Sequence, residues 1–281
     1  MTTAFIFGGN MLPTIKLFGK LEIGMYGTMF VIGFFLAIFI ARKIYKYANK
    51  EDILYSAIYA VLGMIVGMKL LFMITKLPKL IRGFSMVAET FDGDTKGLLG
   101  FSVSYLLGGN VFYGGLIGAV IGILIYCRIY KVKVKPLADL YAIMIPFVHA
   151  FGRIGCFFAG CCYGMEYHGF GAIQFLDNKF IPELSEVPRV PTQLIEVVMN
   201  FICFGVLLYL YKKNKITEGK LVGCYICYYS VFRFINEFFR GDVVRGAVFG
   251  LYTSQIVSLC ILPIGLIILC TDWFVKRMDK E

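Results

Sequence analysis

The chain has 281 residues, of which 59% are hydrophobic and only 16% charged, and its formal net charge is +10. Soluble domains carry about a quarter charged residues, so an ordinary soluble enzyme is excluded. No soluble segment carries a basic stripe interleaved with aromatics. Nucleic acid is therefore not an expected partner, and the excess charge fits lysines and arginines flanking membrane spans.

Seven apolar segments follow one another, predicted as helices over 24–41, 53–75, 109–127, 137–162, 192–211, 219–239 and 250–274. Each is long enough to cross roughly 30 Å of hydrocarbon at about 1.5 Å per residue. The expected fold is all-α: a polytopic membrane protein forming one integral membrane domain over residues 1–281. The first twenty residues lack a basic start and a cleavage site, so no removable signal peptide is expected.

Orientation follows from short basic loops, which stay in the cytoplasm. Arg42, Lys43, Lys46 and Lys50 follow the first segment, and Arg128, Lys131, Lys133 and Lys135 the third. Lys212, Lys213, Lys215 and Lys220 follow the fifth, and Lys276, Arg277 and Lys280 end the chain. The N-terminus is then outside, the C-terminus inside, and the long connections 76–108 and 163–191 face outward.

On this topology every helix carries its unusual polar group at its outer end. Chain order gives Tyr26; Lys69; Asn110 and Tyr113; His149 and Arg153; Gln193 and Glu196; Tyr229, Arg233, Asn236, Glu237 and Arg240; and Gln255. An arginine near the bilayer centre costs about 2.5–3.5 kcal/mol on insertion scales, so it faces a partner or a wet cavity. Arg233 and Glu237 are four apart and Glu237 and Arg240 three apart, so a structural ion-pair cluster is one reading. Convergence of seven helix ends favours the other, a polar cavity open to the outer leaflet. Two arginines on different helices, Arg153 and Arg233, suit phosphate, because the planar guanidinium forks onto its oxygens. The residues alone thus point to a site for an anionic lipid headgroup, with the reaction open.

The segment His149–Gly164, HAFGRIGCFFAGCCYG, adds Cys156, Cys161 and Cys162. Their spacing matches no standard zinc pattern, and on one continuous helix Cys156 and Cys161 diverge. Small-residue packing is the first reading, with a loop disulfide or thiol chemistry as alternatives; no metal and no cofactor is expected.

At these residues the chain resembles the bacterial prolipoprotein diacylglyceryl transferases along most of its length. The matching stretches are MYG at Met25–Gly27, GGLIG at Gly114–Gly118, FGRIGCFFAGCCYG at Phe151–Gly164, PTQLIE at Pro191–Glu196, YSVFRFINEFFR at Tyr229–Arg240 and TSQIVS at Thr253–Ser258. The resemblance implies transfer of the diacylglyceryl group of phosphatidylglycerol to the lipobox cysteine of preprolipoproteins, the first step of lipoprotein maturation. It also implies a multi-pass protein of the bacterial cytoplasmic membrane, with its site towards the outer leaflet. Arg153 and Arg233 would bind the lipid phosphate, with Arg233 on the leaving group. Glu237 and Arg240 would orient them, and Tyr26 and Tyr229 would hydrogen-bond the headgroup. Gln193, Glu196 and Asn110 complete the expected substrate-binding set.

Departures from the family pattern fall on its polar core. The histidine before its paired glycines is Tyr113 here, and a phenol is a poor base at neutral pH. Cys156 and Cys161 stand where the pattern has asparagine and glutamate, and Ala159 replaces a second asparagine. His149, one turn before Arg153, is the alternative proton acceptor; otherwise it is a packed histidine, and no protein base is needed because the arginine field lowers the pKa of the substrate thiol. The competing function is an anionic-lipid binding or transport protein of the outer leaflet without transferase activity.

Overall fold

The computed structural model describes residues 7–10, 13–17, 21–46, 49–90, 109, 111–176, 186–241, 247–248 and 250–278. Asn110 lies outside them. Among the described residues seven α-helices dominate: α1 Met25–Ile44, α2 Glu51–Thr90, α3 Phe112–Tyr130, α4 Val134–Ala159, α5 Thr192–Lys212, α6 Lys220–Asn236 and α7 Thr253–Met278. Six contain stretches long and apolar enough to cross a membrane. The remaining helix, α6, has 17 residues and runs on into a 3-10 turn, Glu237–Phe239. The chain is an all-α polytopic membrane protein. Its outward faces carry apolar side chains such as Phe35, Leu62, Ile117 and Val198, all exposed, as contact with hydrocarbon requires.

The helix ends differ from expectation at two instructive places. Helical backbone in α2 continues to Thr90, through residues expected to begin a loop because of Pro78 and Gly83. The apolar positions Leu77, Leu80, Ile81, Phe84 and Val87 keep a helical spacing there, and that pattern outweighs the two weak helix formers. At the other place α4 stops at Ala159 rather than 162, which decides the position of the thiols described below.

The chain divides into two compact units. Residues 46–134 form one of them, an antiparallel pair made by α2 and α3. Its seam is built from small residues at intervals of four. Gly63 lies against Gly118, Gly67 against Gly114, and Tyr59 against Gly122, all at backbone contact distance. In lipid the hydrophobic effect does not drive helices together, so close backbone packing at small residues takes that role. Two glycines of the GGLIG stretch therefore serve helix packing. At one end of the pair the Tyr126 hydroxyl donates to the Asp52 carboxylate at 2.8 Å. At the other, the Lys69 ammonium donates to the Gly109 carbonyl at 3.2 Å.

The second unit, residues 1–45 and 135–281, holds α1, α4, α5, α6 and α7. Among the described residues six short strands decorate it: β1 Phe7–Asn10, β2 Thr14–Leu17, β3 Leu21–Gly24, β4 Ile173–Leu176, β5 Ala247–Val248 and β6 Leu251–Tyr252. β1 pairs in parallel with β4, while β2–β3 and β5–β6 are antiparallel hairpins. β4 gives regular structure to part of the long connection before α5. Its Ile173 and Phe175 are buried and pack against Phe157, Tyr163 and Leu194. At the far end, the buried Asp139 carboxylate of α4 accepts hydrogen bonds from the Gly219 and Leu221 N–H groups at 2.6 and 3.0 Å. This satisfies two of the orphan donors at the start of α6 and fixes α4 and α6 side by side. α1 meets α4 where Gly33 faces Phe151 and Gly155 faces the Tyr26 backbone.

Candidate active site

One buried carboxylate organises the site. Glu196, in the second turn of α5, is 1% exposed. Its Oε2 lies 2.7 Å from Arg153 Nε and 3.7 Å from His149 Nε2, both on α4. Its Oε1 lies 3.6 Å from Arg233 Nη1 and 3.9 Å from Arg240 Nη1, and accepts a hydrogen bond from the Asn236 carboxamide at 2.8 Å. Arg233 pairs in turn with Glu237 at 2.8 Å. Three guanidinium groups thus meet two carboxylates. Guanidinium groups gathered at one point suit an anion, whose oxygens they bind in forked pairs.

Local sequence explains how these side chains come together. α4 ends in a Schellman motif: the Gly160 N–H reaches the Phe157 carbonyl and the Cys161 N–H reaches the Cys156 carbonyl, both at 3.1 Å. Gly160 takes the left-handed conformation this requires, φ +67°. The motif brings its third-from-last helical residue against the second residue beyond the cap, here Cys156 against Cys161. Cys162 follows, also left-handed at φ +61°, which is uncommon without glycine. The expectation that Cys156 and Cys161 diverge on one helix is therefore corrected, because the helix ends between them. The three sulfurs lie within 4.8 Å of one another.

The first turn of α5 pins this loop. The Thr192 hydroxyl donates to the Cys162 carbonyl at 2.9 Å, and the Gln193 carboxamide to the Cys161 carbonyl at 2.7 Å. Hydrogen bonds from Cys156 and Cys161, reinforced by the Arg153 and Arg240 charges, pull the Cys162 thiol below the ordinary thiol range. Cys161 is pushed up by its bonds to Cys156 and Cys162 and by burial. Main-chain pairing of the next residues places Arg240: Met165 N–H donates to the Phe239 carbonyl and Gly241 N–H to the Tyr163 carbonyl, at 2.9 and 3.1 Å. Gly164 lies at this crossing, where a Cβ would stand 2.7 Å from the Val190 Cβ and 2.9 Å from the Phe239 carbonyl oxygen.

Of the residues singled out in the sequence, His149, Arg153, Glu196, Arg233, Glu237 and Arg240 converge in one cluster. Tyr229 adjoins it, its ring 5.9 Å from the His149 ring. The Tyr26 backbone packs on Gly155, while its side chain is half exposed. Gln193 is fully buried at the thiol loop. Gln255 connects the start of α7, accepting from the Tyr252 N–H at 3.0 Å and donating to the Phe234 carbonyl at 3.5 Å. Tyr113 belongs to the other unit, in the first turn of α3, with a 40% exposed side chain. The helical spacing expected to align Glu237 with Arg240 does not apply, since α6 ends at Asn236 and Arg240 has extended backbone. Arg240 is placed by the Tyr163–Met165 pairing instead.

Sequence reading did not find that Glu196 is the hub of the arginines, because its α5 stretch shows no basic residue at helical spacing. It also missed Asn200, whose carboxamide donates to the Glu196 main-chain carbonyl at 2.7 Å, and Arg189, which stacks 4.9 Å above the Tyr163 ring. Gly160 followed by a change of composition was an available signal for the helix end.

Beside the cluster runs an apolar groove of about 580 Å³, walled by Tyr167, Phe170, Ile195, Phe232, Ile235 and Phe239. Asn236, whose carboxamide donates to Glu196, also lines it. A ligand with an apolar chain and an anionic group matches both features.

Residues 13–271 match the sequence profile of the prolipoprotein diacylglyceryl transferases. A phosphatidylglycerol–prolipoprotein diacylglyceryl transferase of Clostridium tetani is 33% identical over 264 residues, covering 93% of this chain and 98% of the relative. A second such enzyme from Clostridium perfringens is 33% identical over 255 residues, 90% of this chain and 92% of the relative. The corresponding protein of Rickettsia akari is 31% identical over 274 residues, 93% and 96% of the two chains. With order, spacing and nearly full length shared, the chain belongs to the prolipoprotein diacylglyceryl transferase family.

Proposed function

We infer that this membrane enzyme transfers the diacylglyceryl group of phosphatidylglycerol to prolipoproteins, the first step of lipoprotein maturation, and that the acceptor is the lipobox cysteine of the signal peptide. The observation that carries this reading is the three-arginine cluster beside an apolar groove, with Asn236 common to both. A phosphatidylglycerol phosphate carries one negative charge, and its acyl chain needs an apolar wall.

In this reading the acceptor thiol loses its proton, since the thiolate is the nucleophile. Its sulfur attacks the glyceryl carbon that bears the phosphate. The S–C bond forms, the C–O bond to phosphate breaks, and glycerol-1-phosphate leaves with the bonding pair. Arg153 and Arg233 hold the phosphate, and donors aimed at the developing charge favour its departure. Glu196, Glu237 and Asn236 keep the guanidinium groups in place, and Tyr26 and Tyr229 contact the headgroup. In cells whose sole diacylglyceryl transferase is this protein, mass spectrometry is expected to find thioether-linked diacylglycerol on lipoprotein cysteines. Lipoproteins that stay unmodified while the purified protein binds phosphatidylglycerol would support the binding or transport alternative.

The same reading places the cluster at the outer leaflet of the bacterial cytoplasmic membrane. It rests on the alternation of basic loops, with Arg42 and Lys43 ending α1 and Lys212 ending α5. Single cysteines introduced in 163–191 are expected to react with an impermeant maleimide in intact cells. Those in 42–50 and 212–220 should react only after permeabilisation; labelling of 212–220 in intact cells reverses the assignment.

A further inference from the structure

Cys156, Cys161 and Cys162 are unabsorbed by the phosphate-binding arrangement, yet the fold brings all three to one point. We propose that they form a three-thiolate site for one zinc ion, whose fourth position takes the thiol of the incoming substrate. Their sulfurs lie within 4.8 Å of one another, and Zn–S bonds of about 2.3 Å in tetrahedral geometry need separations of roughly 3.8 Å. Small side-chain rotations close that gap.

Three further observations support a built site. The Schellman turn fixes the relation of Cys156 to Cys161, and the uncommon left-handed backbone of Cys162 sets the third sulfur. Strained backbone of this kind persists where surrounding structure holds it, and here Thr192 and Gln193 hold the two carbonyls. Cys156 is buried and the other two are partly buried, and all three are free thiols. Finally, Arg153 and Arg240 lie close enough to act electrostatically on the cluster. Zinc with three thiolates carries −1, which those cations offset.

Soft thiolates select zinc or cuprous ion among biological metals. Zinc adds a tetrahedral preference and no redox chemistry. Three protein ligands leave one position open, as in zinc sites that receive water or substrate. On the functional reading above, the soft donor available to fill it is the substrate's cysteine. Its sulfur lone pair goes to zinc and its proton to solvent, because metal-bound thiols are held as thiolates. This gives the acceptor thiol a route to deprotonation where the family pattern's histidine is Tyr113.

The test uses the full-length protein in detergent, stripped with a chelator and titrated with cobalt(II), whose sulfur-to-metal charge-transfer absorption counts thiolates. One cobalt per chain is expected, displaced by zinc. Cys162→Ser should weaken binding at least about tenfold, on the scale seen when metal-site partners are lost, and Cys203→Ser, in α5, should leave the spectrum unchanged. Adding a lipobox peptide should raise the charge-transfer intensity by about one third, from three thiolates to four; its Cys→Ser counterpart should not. Absence of thiolate absorption, an identical spectrum in the Cys156→Ser/Cys161→Ser/Cys162→Ser variant, or an intramolecular disulfide in anaerobically purified protein overturns the site. A three-thiolate spectrum unmoved by the cysteine peptide overturns the open position. Failure of the transferase reading shows differently, as an intact cobalt spectrum in a protein that moves no diacylglycerol.

Discussion

Arg233→Ala is expected to lower the transfer rate by at least about 100-fold, the scale on which loss of one donor to a developing negative charge is felt. Arg233 Nη1 and Nη2 lie 3.6 and 2.8 Å from Glu196 and Glu237, so the side chain is held in place before any lipid enters. Arg233→Lys keeps the charge and loses the planar fork, and the loss should still exceed about tenfold. A purified assay with phosphatidylglycerol vesicles and a lipobox peptide gives the rates. Thermal unfolding in detergent separates chemistry from folding, because the alanine variant leaves two carboxylates short of a partner. If Arg233→Lys is folded and transfers at the normal rate, bidentate phosphate recognition by this residue is wrong.

Glu196→Gln is expected to have the largest effect on stability. It removes the carboxylate that Arg153, Arg233 and Arg240 share. Removing one partner from a buried ion network costs about 3–5 kcal/mol, because the remaining charges stay desolvated. The apparent Tm in detergent should fall by several degrees, and phosphatidylglycerol should restore more of it than a zwitterionic lipid does, since its phosphate supplies the missing negative charge to the folded state. Pairing the change with Arg153→Leu should recover part of the loss, as neighbouring members of one network are not additive. Equal stability of Glu196→Gln and the parent protein would mean that the cluster is wet enough to need no central carboxylate.

Much of this protein is legible without a structure because the bilayer imposes simple rules. Stretches of about 20 apolar residues fix helix number and rough position, and the expense of charge in hydrocarbon makes Arg153, Glu196, Arg233 and Glu237 conspicuous. The order of GRIG, PTQLIE and YSVFRFINEFFR was enough to suggest the family. What the sequence left open were relations between residues far apart in the chain. That three arginines from α4, α6 and the turn after it meet one carboxylate depends on how helices pack, which no local pattern encodes. Arg240 joins them only because Tyr163–Met165 pairs with its main chain. The thiols show the same division most sharply. Helical periodicity separates Cys156 from Cys161, while a single glycine, Gly160, can take a left-handed conformation at no steric cost. Its φ of +67° ends α4 three residues earlier than the apolar pattern implied and folds three sulfurs together. Hydrophobic spacing determined which segments enter the membrane; backbone conformation at one residue, and packing between helix ends, decided what they hold there.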